Sequence, residues 1–154
     1  MSLNFFCLFE SATMFTTPVE HLSTLTDAFG APLVDYHYVA ADQLLFVQWH
    51  GHLTAAEIIR VALAAVQLRP QRSWQRILSD KRGSSGDWAE ALPFMLYEWM
   101  PNAVAHGIRA MADIISPDVD NLMASEAFVQ GALHQLPTAL FTNEAEALRW
   151  IRSK

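Results

Sequence analysis

Hydrophobic positions from Leu33 onward fall into short β-rich runs separated by stretches with helical spacing. Leu33 to Val39 (LVDYHYV) reads as a strand, Ala40 to Gln43 as a turn, and Leu44 to His50 (LLFVQWH) as a second strand rich in β-formers. A four-residue connection favours an antiparallel hairpin. Thr54-Ala-Ala-Glu57 then forms a capping box, in which the Thr54 hydroxyl accepts a backbone N–H and Glu57 reaches back. The helix it opens runs to about Leu68 and is ended by Pro70. Ile58, Val61, Ala62, Ala65 and Leu68 line one side of it.

The alternation of strand and helix continues. Trp74 to Asp80 reads as a third strand. Asp87-Trp-Ala-Glu90 opens a helix expected to reach Met100, bent where Pro93 removes one helix bond. Ile108 to Ile115 is a fourth strand. Ser116 and Pro117 supply an N-cap and a first-turn proline for a helix to about Leu136. Thr138 to Phe141 is a short fifth strand, and Asn143 caps a last helix ending in Trp150 and Ile151. The order β-β-α-β-α-β-α-β-α predicts an α/β fold. Its sheet is mixed but mostly parallel, with right-handed crossovers and one antiparallel edge.

Residues 1–30 have weaker periodicity and read as an N-terminal arm, partly helical or disordered, ahead of a domain over 31–154. Val19, Leu22, Leu25 and Phe29 are spaced to share a helix face between Pro18 and the stop at Gly30-Ala31-Pro32. The opening stretch has no positive n-region and Glu10 interrupts it, so it does not read as a signal peptide; Met14 is an alternative start.

Composition narrows the partners. The 154 residues suffice for one domain with a real core. With 52% hydrophobic and 17% charged residues, disorder is excluded. A formal charge of −6 argues against nucleic acid, because phosphate binding needs a basic face. No apolar run is long enough for a membrane span. One cysteine, Cys7, cannot form an internal disulfide, which fits a cytoplasmic location; no neighbouring His or Lys activates it.

The candidate chemistry concentrates in Arg76 to Pro101 (RILSDKRGSSGDWAEALPFMLYEWMP). Ligand sites in open α/β sheets lie at the carboxyl ends of strands, beside helix N-termini. The third strand should therefore deliver Asp80, Lys81, Arg82, Gly83, Ser84, Ser85, Gly86, Asp87 and Trp88 to such a rim. A phosphate on Ser84 or Ser85 would meet helix N–H groups and the charge of Lys81 or Arg82; alternatively the serines form a turn that only helps cap the helix. Asp80 could act as a general base or orient Arg82, although no matched acid or nucleophile stands beside it. His50 and His52 share one face of an extended chain, but a metal site needs a third ligand from His106, Asp113 or His134, so none is assigned. No nucleotide-binding loop and no nucleophile elbow occurs, and no cofactor is called.

On the helix, Trp88, Ala91, Leu92, Met95 and Trp99 form an apolar stripe, while Phe94, Tyr97 and Met100 occupy the other side. Apolar surface on both sides calls for a second cover: the arm with Phe5, Phe6, Leu8 and Phe15, a second subunit, an apolar ligand or a protein partner.

The β-β-α opening, LLFVQWHGHLTAAE and ILSDKRGSSGDW together resemble the STAS domain, in the SpoIIAA-like (STAS/SEC14-like) bacterial branch, over about Leu33 to Lys154. The resemblance implies the STAS-like α/β fold and the role of an anti-sigma-factor antagonist, with Ser84 or Ser85 as the residue a partner kinase phosphorylates. Gly83 stands where those antagonists carry an acidic residue. The expectation is a non-enzymatic regulatory or protein-interaction module, self-associating as a homodimer, with residues 80–88 as contact loop. The alternative is a carrier of a small apolar or anionic ligand held between the sheet and the Trp88–Trp99 helix. A third reading is an enzyme using Asp80 and Arg82.

Overall fold

A computed structural model of the chain describes residues 14–154. The readings on Phe5, Phe6, Cys7 and Leu8 lie outside the described residues. Six strands form one sheet in chain order: β1 Glu20–Thr26, β2 Pro32–Val39, β3 Leu44–His52, β4 Arg76–Ser85, β5 Ala110–Ile114 and β6 Thr138–Phe141. β1, β2 and β3 pair antiparallel, and β3 to β6 pair parallel. Four helical segments follow β3 onward: α1 Ala55–Leu68, α2 over residues 89–105, α3 Val119–Ala132 and α4 Glu144–Arg152. This is the expected mixed, mostly parallel α/β arrangement, preceded by one further strand.

That strand corrects the helix expected between Pro18 and Phe29. The three- and four-residue spacing of Val19, Leu22, Leu25 and Phe29 fits a helix, but the segment pairs along β2 from Glu20↔Tyr38 to Thr26↔Pro32. Distant side chains hold it there: Arg72 bridges Glu20 at 2.5 Å and Arg60 donates to the Thr26 carbonyl at 2.6 Å. Phe29 is 96% exposed, in the turn after the strand.

Strand alternation separates two cores. On the first face, Tyr36, Leu45, Val47, Trp49, Ile77 and Met111 pack under α1, α2 and α3. On the second, Val39, Leu44, Phe46, Leu78, Ala112 and Ile114 pack under α4. Short crossovers between sequentially adjacent parallel strands place α1, α2 and α3 on one side, because each turns with the same hand. Phe15 lies on the second face against Phe46, ring centroids 5.4 Å apart, so it does not cover α2 as expected of the arm.

The Thr54 arm of the capping box is present: its hydroxyl accepts from Glu57 N–H at 3.4 Å. Asn143 caps α4 in the same way, accepting from Glu146 N–H at 3.0 Å. α3 departs from expectation. Its N-cap is Asp118, whose carboxylate accepts from Asn121 N–H at 3.1 Å, and it ends at Ala132. Ser116 instead donates to the Ser84 carbonyl, which draws Ser116-Pro117 out of the helix and onto β4.

α2 is irregular and longer than predicted. A 3₁₀ turn (Ala89–Ala91), an α turn (Leu92–Phe94), a π segment (Met95–Trp99) and an α segment (Met100–Ala105) follow one another. Pro93 sits at the start of its α turn, where a missing N–H is tolerated. Pro101 does not end the helix, because the π segment reaches it with the Met100 N–H bonded to the Met95 carbonyl. The Leu96 carbonyl, which lacks a proline N–H to accept from, takes one from Gln135 Nε2 at 3.1 Å. Among the described residues no helix is long and apolar enough to cross a membrane.

Candidate functional site

The third predicted strand continues five residues past its expected end. β4 runs through Gly83-Ser84-Ser85, which pair with His50, Gly51 and His52 of β3. A bulge sets Trp49 opposite both Lys81 and Arg82, between the pairs Gln48↔Asp80 and His50↔Gly83. The stretch read as a loop is thus largely a strand end, and the turn comes at Gly86. Gly86 has φ +98°, and a Cβ there would collide with the Leu53 carbonyl oxygen, so glycine is required.

The two serines are not equivalent. Ser84 is 6% exposed, and its hydroxyl donates to the Lys81 carbonyl at 2.8 Å. Its own carbonyl accepts from Ser116 Oγ at 2.6 Å, which ties β4 to the approach of α3. Ser85 is half-buried at the rim, with Oγ 3.4 Å from His52 Nδ1. Its carbonyl accepts the Leu53 N–H at 2.7 Å.

The expected anion cradle has a different composition. The Gly86 N–H donates to Asp118 Oδ2 at 2.9 Å, and Asp87 Oδ1 accepts from Ala89 N–H at 2.9 Å. Two N–H groups of the turn, those of Gly86 and Ala89, are therefore already given to carboxylates. Of the two expected phosphate partners, Lys81 is enclosed, and Arg82 is exposed but already paired with carboxylates. Successive strand residues point to opposite faces, so Lys81 goes inward and Arg82 to the second face. Arg82 grips Asp80 through Nε at 3.0 Å and Nη2 at 2.8 Å and reaches Glu144 of α4 at 2.8 Å. The Asp80 hydrogen bond, helped by Glu144, pushes the Arg82 guanidinium above its usual range. The pair proposed for catalysis thus fastens β4 to α4.

Inward of the rim lies a polar group that the sequence did not single out as a unit. Lys81 Nζ bonds both Asp113 oxygens, at 2.7 and 2.8 Å, and Ser79 Oγ at 3.3 Å. Trp49 Nε1 donates to the same Ser79 oxygen at 2.8 Å. The ammonium lies 5.8 Å from the Trp49 ring centroid and 5.3 Å from that of Trp88. Trp88 is buried and packs edge-on against Phe128. Asp113, considered only as a distant metal ligand, is the partner of Lys81. The available signal was a charge in each of two neighbouring parallel strands at apolar positions.

Next to this group, between the sheet, α1 and α2, is a cavity of about 50 Å³ lined by Tyr36, Val61, Met95, Trp99, Met111 and Ser79; the Tyr36 hydroxyl is spent on the Val61 carbonyl at 2.6 Å. Of the three residues expected at an interface, Met100 is fully buried in the core and Phe94 is partly buried against it. Tyr97 is 76% exposed.

On the second face, His21 and His50 flank Asp35 at 3.4 and 2.9 Å, and Thr24 donates to the same carboxylate. The His50 hydrogen bond holds the Asp35 carboxyl far below the usual range, against the opposing effect of burial. His37, stacked on Phe46, is pushed down by burial, and its Nε2 has no partner among the described residues. His50 and His52 thus serve separate partners, Asp35 and Ser85. Among the described residues no three His, Cys, Asp or Glu groups are placed to hold a metal ion.

No family model matches the chain, and no curated protein does. Among solved structures it is similar to the anti-sigma factor antagonist SpoIIAA in its unphosphorylated form. The TM-score is 0.53 at 15% identity, over 79% of this chain and 99% of that one. A likeness at that identity concerns the fold, and the fold is STAS-like, as the sequence implied.

Proposed function

We propose that the chain is a non-enzymatic regulatory module that contacts a protein partner through the accessible part of the rim, Arg82, Gly83, Ser85 and Asp87, with Ser85 as its modifiable residue. The observation that carries the reading is the division between the serines. Ser84 is locked inside by its bond to the Lys81 carbonyl, whereas Ser85 presents its hydroxyl at the rim beside His52. Similarity of fold to an anti-sigma factor antagonist supports the same reading.

The surroundings suggest how a phosphate on Ser85 would act. Asp87 and the Gly86-bound Asp118 bring two carboxylates to the same turn, with His52 as the nearby cationic group when protonated. A phosphate there adds like charge and works against the Gly86–Asp118 bond, loosening the junction of β4 with α3. The test is mass spectrometry of the protein recovered from cells that express it natively. Phosphate mapped to Ser85, with partner capture altered by Ser85→Asp, is expected. Modification of Ser84 instead, or partner capture indifferent to Ser85→Asp, defeats the proposal.

A second reading, a carrier of a small apolar ligand, draws on the cavity beneath α2. Ligand mass retained by the protein in native mass spectrometry is its test. Tyr97, exposed on α2, is the position through which a second copy of the chain would dock, which light scattering at high micromolar concentration checks.

A further inference from the structure

We infer that the cavity beneath α2 selects a small, largely apolar molecule bearing a carbonyl oxygen, which the Ser79 hydroxyl binds. The inference rests on the carrier reading and names its ligand class. Ser79 is 2% exposed, and its oxygen accepts two hydrogen bonds, from Trp49 Nε1 and from Lys81 Nζ. A hydroxyl oxygen has two acceptor sites and one proton. With both acceptor sites occupied, the group can interact further only as a donor. Ser79 donates to none of the described residues, and it lines the cavity. A buried hydroxyl whose proton has no acceptor among the described residues thus stands in the wall of a largely apolar space.

The sharing of that oxygen sharpens the donor. The Lys81 ammonium pulls electron density from Ser79 Oγ, which makes its proton a better partner for a neutral acceptor. A carboxylate ligand is disfavoured, because Asp113 already takes two of the ammonium's three protons and Ser79 the third. This narrows the apolar-or-anionic alternative to neutral acceptors.

Size restricts the ligand as well. A cavity of about 150 Å³ holds a benzene ring, and this one is about 50 Å³. The wall can give at Met95 and Met111, whose unbranched side chains adapt to irregular space. Met95 and Trp99 also bound the π segment of α2, a helical irregularity that recurs at functional sites. On the benzene comparison the space at rest holds about two heavy atoms, so a molecule of about five enters only as Met95 and Met111 give way.

The test titrates the full chain, labelled at its methionine methyl groups, with cyclobutanone and with its isostere methylenecyclobutane, and reads the Met95 and Met111 resonances. A ketone oxygen gives up about two hydrogen bonds on leaving water, so a cavity without a donor would favour the alkene by about tenfold or more. The expected result is a ketone affinity equal to or above that of the alkene. Ser79→Ala should weaken the ketone about tenfold and leave the alkene within about twofold. Ala62→Leu, which fills the space from α1, should abolish both. The wild-type ratio decides even where Ser79→Ala fails to fold, and Ser79→Cys supplies a second variant with a weaker donor of similar size. An alkene preferred tenfold in the wild type overturns the assignment to Ser79 while the cavity remains a site. Silence of both methionines to both compounds removes the carrier reading, and this inference with it.

Discussion

Lys81 Nζ lies 2.7 and 2.8 Å from the two oxygens of Asp113, with both side chains enclosed at 5% and 2% exposure. Desolvating two charges offsets most of their attraction, so the pair adds little net stability. Removing one member is different, because it strands the other without water. Asp113→Ala should therefore cost ~3–5 kcal/mol, read as a lower urea midpoint. The double change Lys81→Met with Asp113→Leu should recover most of that loss. A single mutant within ~1 kcal/mol of wild type contradicts an enclosed pair.

The serines should separate in the same measurement. Ser84→Ala removes a buried donor to the Lys81 carbonyl and should cost ~1–2 kcal/mol. Ser85→Ala removes only a 3.4 Å contact at the rim and should stay within ~0.5 kcal/mol. Equal losses would remove the distinction between a structural and an accessible hydroxyl.

Gly86→Ala places a Cβ at φ +98° and against the Leu53 carbonyl. The backbone strain alone is ~1–3 kcal/mol, and the collision adds to it. The expected result is lower stability together with amide shifts along β3 and the start of α3, since Gly86 N–H also holds Asp118. A Gly86→Ala protein as stable as wild type rules out this turn geometry.

Acid should weaken the fold in two stages. The folded-state pKa of His37 is lowered by burial. Its neutral form is favoured in the native state, so stability is full above the unfolded value of ~6.5 and falls as pH drops below it. Asp35 is also lowered, chiefly by His50. Its contribution is present above ~3.9 and is lost as pH falls from there toward its native value. His37→Phe, which keeps the stack on Phe46, should flatten the first stage, the interval just below about pH 6.5, and leave the second. An unchanged slope in urea midpoints over that interval contradicts a buried neutral imidazole.

Elements with local signals were legible in the chain. Thr54 and Asn143 announce α1 and α4 through bonds made within three residues. The β2–β3 hairpin follows from two β-rich runs and a short connection. What stayed hidden depends on distant partners. The 20–26 segment satisfies a helical spacing and becomes a strand because β2, Arg60 and Arg72 are there to receive it. Gly83-Ser84-Ser85 has the composition of a turn, and the edge supplied by His50 to His52 makes it strand. The site followed the same division. The rim was locatable from the strand–turn–helix pattern. The opposite directions of Lys81 and Arg82 emerged only once Asp113 and Glu144 were placed.

The unbroken order of β1 to β6 across the sheet has a consequence for biosynthesis. Each strand pairs with the one made just before it, so the growing edge is always ready when the next strand leaves the ribosome. No strand waits, unpaired, for a later one to be translated, which limits the exposure of naked edges that invites aggregation. The second face closes later than the first, because α4, which covers Leu78, Ala112 and Ile114, follows all six strands along the chain.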